Sequence, residues 1–256
     1  MPTRAETYTY RQFKAALDNQ YNVALANLTA GELHSAGWIR VDDIYKAYEN
    51  VWGTISYDTA YKTQRVVGGL ERLAKDQWLE RTNSYVAKNL DERIKDVWAY
   101  SKKLYVESID DAVRTAALEG LGTEQAARRI KTLVNKKLKG DINVWRARRI
   151  ARTELTAAGN YGSYQGLVDA VGQGARLRKR WTISGRNTRD THLAAEGQVR
   201  DVDQYFDVGG CKLMYPGDPT CGVAAEVINC MCSSLPVENK GIGQINIKDG
   251  ILEFVA

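Results

Sequence analysis

The sequence lacks long hydrophobic runs and has no apolar stretch near its start. A membrane-spanning helix needs about 20 consecutive apolar residues, and a secretory signal needs an apolar region behind a basic start. We therefore expect neither a membrane span nor an export signal. Without export the cysteines are made in a reducing cytoplasm, so we expect free thiols rather than disulfides.

Several catalytic motifs are also missing. The chain contains no Walker A loop, no Gly-x-Gly-x-x-Gly and no His-Glu-x-x-His. Zinc deaminases need His-x-Glu followed by Cys-x-x-Cys, whereas this chain has His192-x3-Glu196 and Cys230-x-Cys232, so both spacings are wrong for that reaction. No catalytic residue is predicted, and we expect a protein without enzymatic activity.

Histidine and cysteine are scarce, and residues 181–232 hold one of the two histidines and all four cysteines. Imidazole and thiolate are the side chains that bind soft and borderline metal ions, so nearly all such chemistry lies in this stretch. Cys230 and Cys232 are two residues apart. On an extended segment both would face the same side, and one ion could contact both.

A tetrahedral zinc site needs four donors, and this stretch offers His192 and the four cysteines. We predict a structural zinc ion bound by His192, Cys221, Cys230 and Cys232, and leave open whether Cys211 takes the place of Cys221. In the alternative interpretation the cysteines are small buried apolar side chains, and His192 hydrogen-bonds within a turn.

The net charge of +5 is mild, but the basic residues are clustered. They lie on two predicted helices between residues 123 and 152 and on a segment that follows Gly172 and Gly174. Such clusters neutralise phosphates without reading bases, although a solvated helix surface has the same composition. The candidate DNA-binding residues are Arg128, Arg129, Lys136, Lys137, Arg146, Arg149, Arg178, Lys179 and Arg180.

The apolar period divides the chain into three predicted parts. Helical spacing predicts a helical arm or bundle over residues 1–122, and two basic helices over residues 123–171 lead to the last part. Residues 172–256 then change to a period of two and end in a predicted hairpin with an Asp249-Gly250 turn. The predicted fold class is α+β, a mainly α-helical N-terminal region followed by a small α+β C-terminal domain. A core this small often needs additional stabilisation such as a bound metal ion, and this is the physical reason to expect zinc.

Two segments resemble a known family. The first is Arg146-Ala147-x-x-Ile150-Ala151-Arg152-Thr153-Glu154. The second runs Trp181 … Thr188-Arg189-Asp190-Thr191-His192 … Gly197 … Pro216-Gly217-Asp218-Pro219 … Glu226-Val227-Ile228-Asn229-Cys230-x-Cys232. Over roughly residues 120 to 237 the chain is similar to the phage Mu F-like head morphogenesis family of minor capsid proteins. Met231 departs from the basic residue that the family usually has there.

The resemblance implies a structural minor head protein of a tailed bacteriophage, located in the virion on the capsid interior near the portal vertex. The implied partners are the portal protein, major capsid or scaffold proteins, and double-stranded DNA bound without sequence preference. We assign an interdomain role to Arg152 and Glu154, and expect Arg152 to pair with a carboxylate of the C-terminal domain. The alternative function is a metal-dependent nucleic-acid-processing enzyme centred on His192 and the cysteines.

Overall fold

The computed structural model describes residues 2–29, 41–67, 73–121, 123–136, 143–185, 188–238, 244–248 and 251–255. Helices occupy most of the chain up to residue 172. They are α1 (Arg4–Thr29), α2 (Val41–Val67), α3 (Lys75–Asn89), α4 (Asp91–Leu118), α5 (Thr123–Val134) and α6 (Asn143–Gly172). None of the helices in the described ranges has both the length and the apolar character that a membrane span requires.

Short strands and helices make up the rest of the chain. They are β1 (Leu177–Thr182), α7 (Asp190–Leu193), β2 (Val199–Asp201), β3 (Phe206–Val208), β4 (Cys211–Leu213), a 3₁₀ helix (Pro219–Cys221), α8 (Ala224–Val227), β5 (Ser233–Glu238), β6 (Gln244–Lys248) and β7 (Ile251–Val255). The predicted α+β fold class, with helices first and a small sheet region at the C-terminal end, is confirmed.

The strand pairs that the structure describes are antiparallel. Strand β1 lies between β2 and β5, with Arg178 opposite Asp201 and Trp181 opposite Ser234. Strands β3 and β4 form a two-stranded ribbon. Strands β6 and β7 form the predicted hairpin, and its Asp249-Gly250 turn lies outside the described residues.

The chain divides into two compact units. Residues 1–50 and 90–152 form the first, and residues 51–89 and 153–256 form the second. Helices α2 and α6 each contribute residues to both units. The predicted division at residues 122 and 171 has different boundaries and stays a prediction about domains.

In the first unit, the apolar face of α1 packs on the start of α2. Phe13, Leu17 and Tyr21 recur at helical spacing, and each is at most 2% exposed, as are Ile44 and Tyr48. The rings of Phe13 and Tyr48 meet edge to face with centroids 5.1 Å apart. Such a pair contributes about 0.5–1.5 kcal/mol beyond the burial of its area.

In the second unit, α2 and α6 pack with their backbones close together. A Cβ atom on Gly162 would lie 2.2 Å from the carbonyl oxygen of Ser56, so only glycine fits at this crossing. Nearby, the buried Trp52 indole donates a hydrogen bond of 3.0 Å to Oε2 of Glu154. The ring of Tyr161 packs against the same indole.

A second core of this unit lies between the strands and is built from the side chains of Trp181, Ala195, Phe206, Val208, Cys211, Leu213, Cys230 and Cys232. Asn160 of α6 connects this core to the helices. Its amide donates to the carbonyl oxygens of Pro216 at 3.0 Å and Cys232 at 2.9 Å, and it accepts from the amide of Ser234 at 3.0 Å. One buried side chain therefore holds the backbone beside the cysteines.

Candidate metal centre

The pairing of β1 with β5 positions the candidate ligands. Because Thr182 lies opposite Ser233, the segment that enters β5 runs beside the end of β1. The chain leaves β1 toward α7, which carries His192. As a result, the ligand atoms of His192, Cys230 and Cys232 all lie within 4.8 Å of one another. Three of the four predicted ligands therefore come together, and both thiols of the Cys-x-Cys pair face one point.

The two ring nitrogens of His192 face different partners. Its Nδ1 lies 3.3 Å from Sγ of Cys232 and 3.7 Å from Sγ of Cys230. Its Nε2 lies 3.0 Å from Oε2 of Glu226, which also accepts a hydrogen bond of 2.9 Å from the Thr191 hydroxyl. With the proton on Nε2 held by the carboxylate, the lone pair of Nδ1 faces the two thiols.

The residues present fit a zinc ion. Ligands about 2.0–2.3 Å from a tetrahedral ion lie roughly 3.3–3.8 Å from one another, and the two nitrogen–sulfur distances fall in this range. Metal-ligating histidines almost always donate their other ring N–H to a carboxylate or carbonyl, which is the position of Glu226. Sequence reasoning missed this carboxylate, although its position four residues before Cys230 was a usable signal.

The centre is buried, and the hydrogen bonds within it determine its protonation. His192 and Cys230 are each 1% exposed, and Cys232 is 3% exposed. The hydrogen bond from Cys232 lowers the pKa of the Cys230 thiol to about 5 against the effect of burial, with a further contribution from His192. The same hydrogen bond, together with burial, raises the pKa of Cys232. Burial works to lower the pKa of His192, but its interaction with Cys230 outweighs burial and raises it. One thiolate is thus already favoured, and thiolate is the form that binds metal.

The structure does not bring Cys221 to this group. Cys221 ends the 3₁₀ helix and lies beside Cys211 at the edge of the same core. Burial, with a hydrogen bond from Cys211, raises the pKa of the Cys221 thiol to about 11. All four cysteines are free, as expected. The candidate centre therefore has three protein ligands, and neither Cys211 nor Cys221 supplies the fourth.

Two of the predicted DNA-binding residues are buried, which corrects the prediction for them. Lys179 is 1% exposed, and its Nζ donates to the carbonyl oxygen of Met214 at 2.8 Å between the rings of Tyr164 and Phe206. Arg146 is 5% exposed. Because phosphates approach from solvent, neither side chain is available to DNA. Lys179 is buried because side chains alternate along a strand, so that Lys179 of β1 lies on the same face as the buried Trp181.

The other predicted DNA-binding residues have various surroundings. Arg128, Lys136, Arg149 and Arg180 are exposed. Arg129 pairs with Glu119 at 2.7 Å, and Arg178 pairs with Asp201 at 2.8 Å. Lys137 lies outside the described residues. DNA contact by this set stays a prediction.

Arg152 and Glu154 differ in their surroundings. Glu154 is buried and accepts the Trp52 hydrogen bond within the second unit, whereas Arg152 is exposed on α6. Their interdomain role stays a prediction.

Comparisons with known proteins connect these features to a family. The family model described as Phage Mu protein F like protein matches residues 107–235. NAD(+)--arginine ADP-ribosyltransferase EFV of Enterococcus faecalis is 26% identical over 194 residues, which are 75% of this chain and 36% of that protein. Uncharacterized protein YqbB of Bacillus subtilis is 32% identical over 102 residues, 38% of this chain and 32% of that protein.

The chain spans about a third of the length of the curated relatives that it matches. No solved structure matches the chain. The matched residues 107–235 cover just over half of the sequence and include α6, His192, Cys230 and Cys232. The chain belongs to the Phage Mu protein F like family.

Proposed function

We propose that the chain is a structural minor head protein of a tailed bacteriophage that acts in head morphogenesis. The match of the family model to residues 107–235 carries this proposal. The candidate centre supports it, because His192 and both cysteines are buried in a core and hydrogen-bonded to one another. A substrate needs access to a reactive group, and these three side chains are at most 3% exposed.

The ion that we propose for this centre is zinc. His192, Cys230 and Cys232 would hold it, and Glu226 would fix the orientation of the imidazole through Nε2. A bound zinc would link α7 to the segment that enters β5, and thereby stabilise a small core. Loss of either cysteine is expected to unfold this part of the chain.

We further propose that the protein lies inside the capsid near the portal vertex, with the portal and the capsid or scaffold proteins as partners. The exposed members of the basic set, such as Arg128, Lys136 and Arg180, would face packaged DNA. Their contacts would be with phosphates, so binding would fall steeply as salt rises.

An enzymatic role is the competing candidate, because the Enterococcus faecalis relative is named as an ADP-ribosyltransferase. Only 36% of that protein is matched. Incubation of the purified chain with NAD⁺ and an arginine acceptor would measure this directly. Consumption of NAD⁺ that depends on the chain would favour the enzyme.

The head-protein proposal is tested in the phage that encodes the chain. A stop codon placed early in the gene is expected to give defective heads, and the chain expressed in trans is expected to restore infectious particles. The protein should be present in purified virions and co-purify with the portal protein when the two are co-expressed. Normal virions that lack the protein would contradict the proposal.

A further inference from the structure

A cleft in the first unit carries three arginines. It has a volume of about 470 Å³ and is lined by Arg11 of α1 and by Arg148 and Arg152 of α6, together with Glu6 and Tyr10. All three arginines are exposed at the surface of the chain. None of them is among the DNA-binding residues predicted from the sequence. Arg152 was predicted to have an interdomain role instead.

The positive charge of this cleft is only partly balanced. Arg148 and Arg152 are four residues apart on α6, so their side chains lie on one face and repel each other. Among the described residues, no carboxylate lies within ion-pair distance of Arg11, Arg148 or Arg152. Repulsion of this kind costs free energy, and a bound anion would remove the cost.

Glu6 is the acidic residue of the cleft, and its carboxylate is already engaged. Its Oε2 accepts a hydrogen bond of 2.7 Å from the amide of Thr3, whose hydroxyl accepts from the amide of Glu6 at 3.1 Å. This reciprocal pair is a capping box at the start of α1. The pKa of Glu6 is lowered first by the Thr3 hydrogen bonds and then by the charge of Arg152. With three guanidinium groups and one carboxylate, the cleft keeps a net positive charge.

We propose that this cleft binds the phosphate groups of a nucleic-acid strand. Guanidinium groups form paired hydrogen bonds with phosphate oxygens, and three of them at one opening would hold a strand by its backbone. The inference rests on the proposed function, since it gives the DNA contact of a head protein a location. A free nucleotide carries the same phosphate chemistry and is the other source of ligand.

Fluorescence anisotropy of the full chain with a labelled 20-nucleotide single strand, its duplex and a labelled ADP tests the proposal. The cleft variant is Arg11→Gln/Arg148→Gln. The control is Arg4→Gln/Arg114→Gln, which removes the same charge from exposed positions outside the cleft lining. Circular dichroism and thermal unfolding would establish that both variants fold.

The cleft variant is expected to bind DNA about tenfold or more weakly at 50 mM salt, because each substitution removes charge-assisted hydrogen bonds to phosphate. The slope of log affinity against log salt should also become shallower by about two. For the control, this slope should differ from that of the wild type by less than about one.

Three results overturn part or all of the proposal. Equal DNA affinities for the cleft variant and the control would overturn the cleft, and the virion experiment would still decide the proposed function separately. Loss of ADP binding with unchanged DNA binding would overturn the nucleic-acid strand as the ligand. Binding of neither probe by the wild-type chain would overturn the anion site itself.

Discussion

Gly209 is the position at which one added methyl group tests the role of Glu226. It lies in the turn between β3 and β4 with a φ of +58°, and a Cβ there would lie 2.5 Å from Oε1 of Glu226. The neighbouring Gly210 has a φ of +80°, and no atom lies within 4 Å of the Cβ it would carry. Alanine at either position has a left-handed backbone, but only Gly209→Ala displaces the carboxylate.

The expected magnitudes follow from these contacts. The left-handed backbone costs each variant roughly 1–2 kcal/mol of unfolding free energy. Gly209→Ala also breaks the hydrogen bonds of Glu226 to His192 and Thr191, at 3.0 and 2.9 Å. Loss of such a partner of a metal-ligating histidine typically lowers metal affinity about 10–100-fold. We expect that loss for Gly209→Ala, and near wild-type affinity for Gly210→Ala.

The assay is competition for zinc against a chromophoric chelator, with thermal unfolding of the same samples. Gly210→Ala is the matched control, because it carries the backbone cost without the contact. Glu226→Gln should weaken zinc binding in the same direction as Gly209→Ala. Equal zinc affinities for the two alanine variants would refute the assignment of Glu226 as the residue that orients His192.

Three further predictions concern packing and protonation in the second unit. Gly162→Ala is expected to lower the unfolding free energy by about 1–3 kcal/mol or more, because Ser56 backbone atoms occupy the space. Gly159→Ala, with its nearest contact at 3.8 Å, should gain up to about 1 kcal/mol of helix propensity. Equal urea midpoints would argue against the close crossing. Asn160→Ala removes the partner of three buried backbone groups and should cost about 3 kcal/mol or more, so an unchanged melting temperature would contradict that role. For Lys179, burial lowers the pKa from 10.5 to about 8. The unfolded chain therefore binds more protons between these pH values, and the stability of the wild type relative to Lys179→Met should rise with pH. A stability difference between the wild type and Lys179→Met that does not change with pH would contradict the lowered pKa of Lys179.

The fold class and most of the candidate centre could be predicted because local patterns determine them. Helical spacing predicted the helices of residues 1–122, and the change to a period of two predicted strands within residues 172–256. The close Cys230–Cys232 spacing placed two thiols at one point. Whether Cys221 joins them depends instead on where the loop between β4 and α8 runs, and no local pattern fixes that path. The structure places the thiols of Cys211 and Cys221 away from His192.

The errors on the basic residues have a different origin. Composition shows that a segment is basic, but burial decides which side chains face solvent. On β1 the parity shared by Lys179 and Trp181 was a sufficient signal, because alternate strand residues face the same side. For Arg146 and Arg148, two positions apart on α6, burial and exposure depend on which helix packs against which face. The local sequence does not determine that packing, so the burial of Arg146 could not be predicted from it.

The metal content of the purified chain, measured by elemental analysis with a native thiol count, tests the metal centre most directly. We predict one zinc ion per chain, protection of Cys230 and Cys232 from thiol reagents, and loss of the ion in Cys230→Ser. Cys221→Ser is the control and should retain zinc. A protein without metal, in which Cys230 and Cys232 react as freely as Cys221, would contradict the account.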